Sequence, residues 1–226
     1  MTPSEIHNIC EEYNIKNYAI NDDMSISVDR YVDLSGKSLK SIPIKFKEVS
    51  GYFYCYNNQL TSLEGCPESV SGDFDCSDNQ LTSLKYCPES VSGHFSCSYN
   101  QLTSLKYCPE SVSGHFSCSH NQLTSLKYCP EKVSGDFYCN NNQITNFDGL
   151  PEFFEQLIYL LGNPVYEIYK LFKNDPRCIY WIREFGVIQG DEVVRDRLEE
   201  VFHTLGMDIP KDIVMLIKKY LIYESS

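Results

Sequence analysis

The fold class this sequence predicts is an α/β solenoid with a parallel β-sheet, and three observations predict it. Glycines recur every 21 residues at Gly51, Gly72, Gly93, Gly114 and Gly135. Asparagines keep the same interval at Asn58, Asn79, Asn100, Asn121 and Asn142. Each copy between them reads V-S-G-x-F-x-C-x-x-N-Q-L-T-S-L-x-x-C-P-E-x. A fixed period of this kind marks one structural unit per repeat, which buries its apolar side only by stacking on its neighbours.

Within a copy, Phe74 and Cys76 stand two residues apart, the spacing of inward positions on a strand, and Asp73, Asp75 and Ser77 alternate outward. The inward spacing then lengthens to Asn79, Leu81, Leu84, Cys87 and Val91, as a chain turning corners requires. One coil closes per repeat, and neighbouring coils lie about 4.8 Å apart in a parallel sheet. Gly72 and its equivalents mark a tight backbone at the start of each strand, where a Cβ has no room. Pro88 and its equivalents favour an extended return path, too short for a long helix, so an extended or 3₁₀ convex side is expected. The asparagine column reads as structural: an inward amide at a bend donates to backbone carbonyls and accepts from a backbone N–H. The F-x-C-x-x-N-x-L run fits the L-x-L-x-x-N-x-L core of a leucine-rich repeat, with Phe and Cys at two of the leucine positions.

The ends follow in order. Pro3 and Ser4 start a helix whose apolar face is Ile6, Ile9, Cys10 and Tyr13. Tyr18-Ala19-Ile20 and Ser25-Ile26-Ser27-Val28 flank Asn21-Asp22-Asp23-Met24, a hairpin expected to cover the open edge of the sheet. Val32 to Leu39 form a degenerate first coil with Lys37 in the asparagine position, and Ile158, Leu160, Asn163 and Val165 form a last one that Pro164 ends. The chain thus divides into a helix and hairpin cap (1–27), a solenoid of about seven coils (28–174) and a helical cap (175–226). Beyond Asn163, helical spacing recurs in four groups: Val165 to Phe172, Ile179 to Phe185, Val194 to Leu205, and Ile213 to Leu221 with Tyr220. Breaks fall near Asp175-Pro176, Gly186 to Gly190 and Gly206 to Pro210.

Composition narrows the function classes. Nineteen Lys and Arg against 31 Asp and Glu give a net charge of −12, which opposes the broad basic surface that phosphate-backbone binding requires. Nucleic acid is therefore not an expected partner. With no apolar stretch of membrane-spanning length and no signal-like start, neither is a membrane, and a cytoplasmic location is expected. Nine of the 11 cysteines belong to two repeat columns, Cys55 to Cys139 and Cys66 to Cys129, so their number reflects duplication and they read as reduced core thiols. No C-x-x-C, G-x-S-x-G, H-E-x-x-H or phosphate loop occurs, and the chain reads as non-catalytic, without cofactor or metal.

The words S-G-x-F-x-C-S-x-N-Q-L-T-S-L, the opening Ile20 to Ile26 and the exit Gly162 to Phe172 resemble the leucine-rich-repeat proteins of giant DNA viruses, of the mimivirus type, and of some tailed phages. The likeness covers nearly the whole chain and implies a fold and a viral setting more than an activity: host cytoplasm, with the virion as the alternative. The repeat is also similar to that of bacterial effector ubiquitin ligases, whose repeats read N-Q-L-T-S-L and whose catalytic cysteine sits in a C-x-D motif of a larger helical domain. Here Cys178 is followed by Ile179 and Tyr180, and about 50 residues remain.

Comparing the copies with one another locates the variation. Phe, Cys, Asn and Leu barely change. The outward offsets read Tyr52, Asp73, His94, His115 and Asp136; then Tyr54, Asp75 and Tyr138 among serines; then Tyr56; and at the bend Tyr99 and His120. Variation on one expected concave face, rich in tyrosine, points to a protein-binding scaffold. The column Asp73, His94, His115, Asp136 is read as a partner contact sensitive to pH rather than a metal site, because a flat ladder lacks converging ligands. The alternatives carried are a structural, virion-associated role and a ligase-like effector, and oligomeric state is left open.

Overall fold

The computed structural model of the chain describes residues 1–150, 157–189 and 192–224, with side chains to Lys218. It is a β-solenoid with 21-residue coils, and each coil contributes two short strands rather than the single one expected. Phe53–Tyr54, Phe74–Asp75, Phe95–Ser96, Phe116–Ser117 and Phe137–Tyr138 pair in parallel, with Val32–Asp33 before and Ile158–Tyr159 after them, in one seven-stranded sheet. Before the glycine corner, Ser69–Val70, Ser90–Val91, Ser111–Val112 and Lys132–Val133 continue Ile26–Val28 and Phe46–Val49 in a second sheet. We call these the phenylalanine and valine sheets. Six coils carry both strands; residues 151–156, ahead of the seventh phenylalanine-sheet strand, lie outside the described residues.

The corner between the sheets explains the glycine column. Gly72 N–H donates to Gly51 O at 2.9 Å, and Gly93 to Gly72, Gly114 to Gly93 and Gly135 to Gly114 at 3.0 Å. A Cβ on Gly93 would stand 2.6 Å from the Gly72 carbonyl carbon, and one on Gly72 would stand 2.8 Å from that of Gly51. Only glycine lets successive corners stack this closely. Inside the coil, Phe53, Phe74, Phe95, Phe116 and Phe137 are buried and run ring to ring at 4.9 to 5.8 Å. Each such ring contributes roughly 1.5 to 3 kcal/mol relative to exposure.

The asparagine ladder holds the next bend. Asn100 Nδ2 donates to Cys97 O and Ser98 O of its own coil and to Cys76 O of the coil before, while its Oδ1 accepts from Leu81 N–H at 2.9 Å. Asn79, Asn121 and Asn142 repeat this set. The coil with Lys37 needs no asparagine of its own, because Asn58 reaches back to Leu34 O and accepts from Lys37 and Leu39 N–H. The residue before each asparagine is left-handed, with φ of 53° at Asn57, 51° at Asp78, 54° at Tyr99, 55° at His120 and 53° at Asn141.

Among the described residues the return path is extended, with tight turns and no helix. Cys87 N–H donates to Leu84 O at 2.9 Å, closing a turn in which Tyr86 has φ 69°. The turn recurs with φ 75° at Tyr107 and 69° at Tyr128, and its end-coil equivalents are glycines, Gly65 at 95° and Gly149 at 90°. Positive φ at this turn position favours glycine, and a left-handed tyrosine costs about 1 kcal/mol or more. The thiol column helps hold it: Cys108 Sγ donates to Tyr128 O at 2.8 Å.

At the start, helix Pro3–Glu12 opens at Pro3 as expected, with Thr2 as its cap. Thr2 Oγ1 accepts from Glu5 N–H and Glu5 Oε2 accepts from Thr2 N–H, a reciprocal pair that holds the Glu5 carboxyl below its usual range. The hairpin Tyr18–Ile20 with Ile26–Val28 forms as expected but joins the valine sheet, Ile26–Val28 pairing in parallel with Phe46–Val49. It does not edge the phenylalanine sheet, because Val28 is itself in the 21-residue frame with Val49.

At the other end Tyr166–Tyr169, Arg177–Glu184, Arg195–Thr204 and Ile213–Glu224 are the four expected helices. A hairpin, Ile188–Gln189 with Glu192–Val193, stands where only a break was expected. Gly190 lies outside the described residues, as do the side chains of Tyr220 and Leu221. Val165 N–H donates to Ile144 O and Arg183 Nη1 to Leu150 O, both at 2.9 Å, so the cap closes the last coil. One continuous core runs from Ile6 to Ile217.

Candidate functional site

The phenylalanine sheet buries its Phe and Cys positions and turns the alternate ones outward. That alternation gathers the variable residues on one face, in three groups. Tyr52 stacks on Tyr54 at 4.2 Å and on Tyr31 at 4.8 Å, and Tyr56 lies 5.8 Å from Tyr54. Tyr54 Oη donates to Asp73 Oδ2 at 3.4 Å, and burial together with that carboxylate raises the Tyr54 phenol. Asp75 Oδ1 accepts from Ser77 N–H at 2.9 Å and from its hydroxyl, yet burial still pushes this carboxyl up, with Asp78 and Asp73 adding to it.

The middle group is the column Asp73, His94, His115, Asp136. The two imidazoles stack at 4.7 Å and 10°. Each member also accepts a backbone N–H from the next coil: Asp73 Oδ1 from His94 at 2.7 Å, His94 Nδ1 from His115 at 2.8 Å, and His115 Nδ1 from Asp136 at 2.8 Å. The column is therefore part of the coil-to-coil bonding.

Beyond it, Tyr138 lies edge-on to His115 at 5.8 Å, stacks on Tyr159 at 4.6 Å, and donates to Asp136 Oδ2 at 3.1 Å. At the bend Tyr99 stacks on His120 at 4.1 Å, and His120 Nε2 meets Asn141 Nδ2 at 2.9 Å. Sequence reasoning omitted four residues of this surface. Tyr31 and Tyr159 extend the tyrosine groups, and Leu157 and Leu161, 56% and 61% exposed, flank Tyr159. Adding 21 to Asp136, Tyr138 and Asn140 gives Leu157, Tyr159 and Leu161, so the signal for these was present. Conversely Ser98 and Ser119, at the position where Ser77 was read as outward, are 7% and 8% exposed, and Ser98 Oγ bonds Ser117 Oγ at 2.7 Å.

Chemically the face offers aromatic rings with hydroxyls, carboxylates and imidazoles on a rigid, hydrogen-bonded support. Among the described residues no three His, Cys, Asp or Glu side chains converge as metal ligands would, and no helix is long and apolar enough to cross a membrane. No protein-family model matches the chain, and neither does any curated protein.

Proposed function

We propose that the protein is a non-catalytic scaffold that binds a protein partner through the outward face of the phenylalanine sheet. The observation that carries this reading is the run of exposed or half-buried rings, Tyr31, Tyr52 and Tyr54 at one end and Tyr138 and Tyr159 at the other, on strands fixed to their neighbours through backbone bonds. Tyrosine supplies a large, stiff contact area with a polar tip, and a preformed support spares the ordering cost of binding. The likeness to giant-virus and phage repeat proteins supports a viral setting, with a host or viral protein as partner in the cytoplasm.

The test is affinity capture from the native host, quantified by mass spectrometry, with the wild type and a Tyr52→Ser, Tyr138→Ser double variant. The wild type is expected to retain a defined partner that the variant loses by about tenfold or more at unchanged melting temperature. A control, Gln101→Ala with Thr103→Ala, is expected to retain it. Full capture by the tyrosine variant would remove this face from the function.

A further inference from the structure

A second surface, on the return path, has a composition that folding does not require. In the turn after Leu84, Leu105 and Leu126, the three central coils place Tyr86, Tyr107 and Tyr128 in left-handed backbone, where the same turn in the flanking coils uses Gly65 and Gly149. The rings are 47%, 52% and 53% exposed, so core burial does not offset the conformation. Lys85, Lys106 and Lys127 each hold their ammonium 4.8 to 5.2 Å from the ring that follows, giving a ridge of three Lys–Tyr pairs, one per coil. Beside the first two pairs runs an open groove, lined there by Tyr86, Glu89, Tyr107 and Glu110, that continues into the preceding coils past Glu64 and Glu68 and stops short of the Tyr128 coil. Across this face the chain therefore orders a lysine row, a tyrosine row, a groove and an exposed glutamate row that Glu131 continues.

We infer that this face binds a second copy of the chain, as a parallel dimer with its two-fold axis along the solenoid. Rotation about that axis reverses the order of rows on the facing copy but keeps each coil at its own height. Lys85 of one copy then meets Glu89 of the other, Lys106 meets Glu110, Lys127 meets Glu131, and Tyr86 and Tyr107 of each ridge enter the other copy's groove. An antiparallel pair, with its axis across the coils, sets lysine against lysine and glutamate against glutamate. The parallel pair is thus the self-complementary one, as an isologous interface must be. Spacing singles out the same occupant: a partner must present one charge every 4.8 Å or so to satisfy all three pairs, and a second copy has this repeat by construction of its own coils. The inference uses none of the residues of the proposed partner-binding face.

Sedimentation of the full chain tests it with two charge-reversed variants, one carrying Lys85→Glu, Lys106→Glu and Lys127→Glu, the other Glu89→Lys, Glu110→Lys and Glu131→Lys. The wild type is expected to sediment as a dimer of 26.1 kDa chains. Each variant alone is expected to be monomeric, with at least about a 100-fold weaker self-association, and an equimolar mixture to recover a heterodimer, since both row pairings become attractive again. A third variant, Tyr86→Gly, Tyr107→Gly and Tyr128→Gly, places in each turn the residue its end-coil counterparts already use. It is expected to keep the wild-type circular dichroism spectrum and lose the dimer. A monomeric wild type, a dimer that survives either reversal, a mixture that stays monomeric, or a glycine variant that folds and remains dimeric would each overturn the assignment.

Discussion

His94 Nδ1 accepts a 2.8 Å hydrogen bond from the backbone N–H of His115, one coil further along. Asp73 does the same for His94 and His115 for Asp136, so carboxylate and imidazole serve as equivalent acceptors in one column. The bond fixes both imidazoles in the Nε2–H form, because a protonated Nδ1 has no lone pair to offer. What looked like a contact row is first of all a fastening of strand to strand.

Replacing His115 by residues that differ in acceptor capacity isolates that bond. His115→Asn retains a side-chain oxygen and His115→Val does not, while both lose the ring stack. The valine variant is expected to be less stable than the asparagine variant by about 1 kcal/mol. Urea denaturation midpoints measure the difference, and coincident midpoints would deny the bond any energetic weight.

Asn100→Leu tests the inner ladder. It leaves the carbonyls of Cys76, Cys97 and Ser98 and the N–H of Leu81 without their amide partner in the buried bend. A loss of about 3 kcal/mol or more is expected, against less than about 0.5 kcal/mol for the exposed neighbour Gln101→Ala. Ser98→Ala belongs between the two, since its buried hydroxyl gives up only the bond to Ser117.

The thiols should be inert in the folded chain. Nine of the 11 cysteines are buried and the other two, Cys87 and Cys108, are half-buried. Burial pushes Cys108 up to about 12, which leaves a thiolate fraction near 10⁻⁴ at pH 8. Alkylation followed by intact mass is expected to proceed slowly under native conditions, beginning at Cys87 and Cys108, and to reach all 11 sites in denaturant. Fast native labelling of the strand cysteines would contradict their inward placement.

Asp75 gives a pH dependence with a definite sign. Burial raises its carboxyl above the ordinary value of 3.8, so the folded chain binds this proton more readily than the unfolded chain does. The penalty for the ionised form is absent below that value and sets in as pH rises through the folded-state one. Asp75→Asn, which keeps an acceptor for Ser77, is expected to raise the melting temperature at pH 7 by about 1 to 3 °C and to have no advantage near pH 3. A larger benefit in acid would reverse the sign.

Much of this fold is legible in the sequence because the repeat multiplies each signal. Five aligned phenylalanines, five cysteines and five asparagines cannot be read as chance, and all turn inward as their spacing requires. The valine-sheet strands are less legible: Ser90–Val91 supplies a single apolar residue inside the polar run S-V-S-G, and two residues show no alternation. Ser98 is outward by parity yet buried, its hydroxyl bonded to that of Ser117 in the next coil, a contact that alternation along one strand does not record. On the candidate face, the tyrosines were found by comparing copies, whereas Tyr31 sits in a coil where Arg30 replaces the marker glycine and so escaped the frame. The acceptor role of His94 was hidden because it depends on where a neighbouring N–H points, which no periodicity records.

The stacking of like on like, Phe95 on Phe116 and Gly93 under Gly114, has a consequence for how such a molecule changes over generations. Residues 90–110 and 111–131 differ only at Tyr99 and His120. A newly inserted copy of 21 residues would present to both neighbours the contacts they already make, so a gene duplication lengthens the rod by about 4.8 Å without a new interface having to arise. Length becomes a heritable dial: in-frame gain or loss of a copy resets how far apart the two end caps stand, while the chemistry of every remaining coil is left as it was.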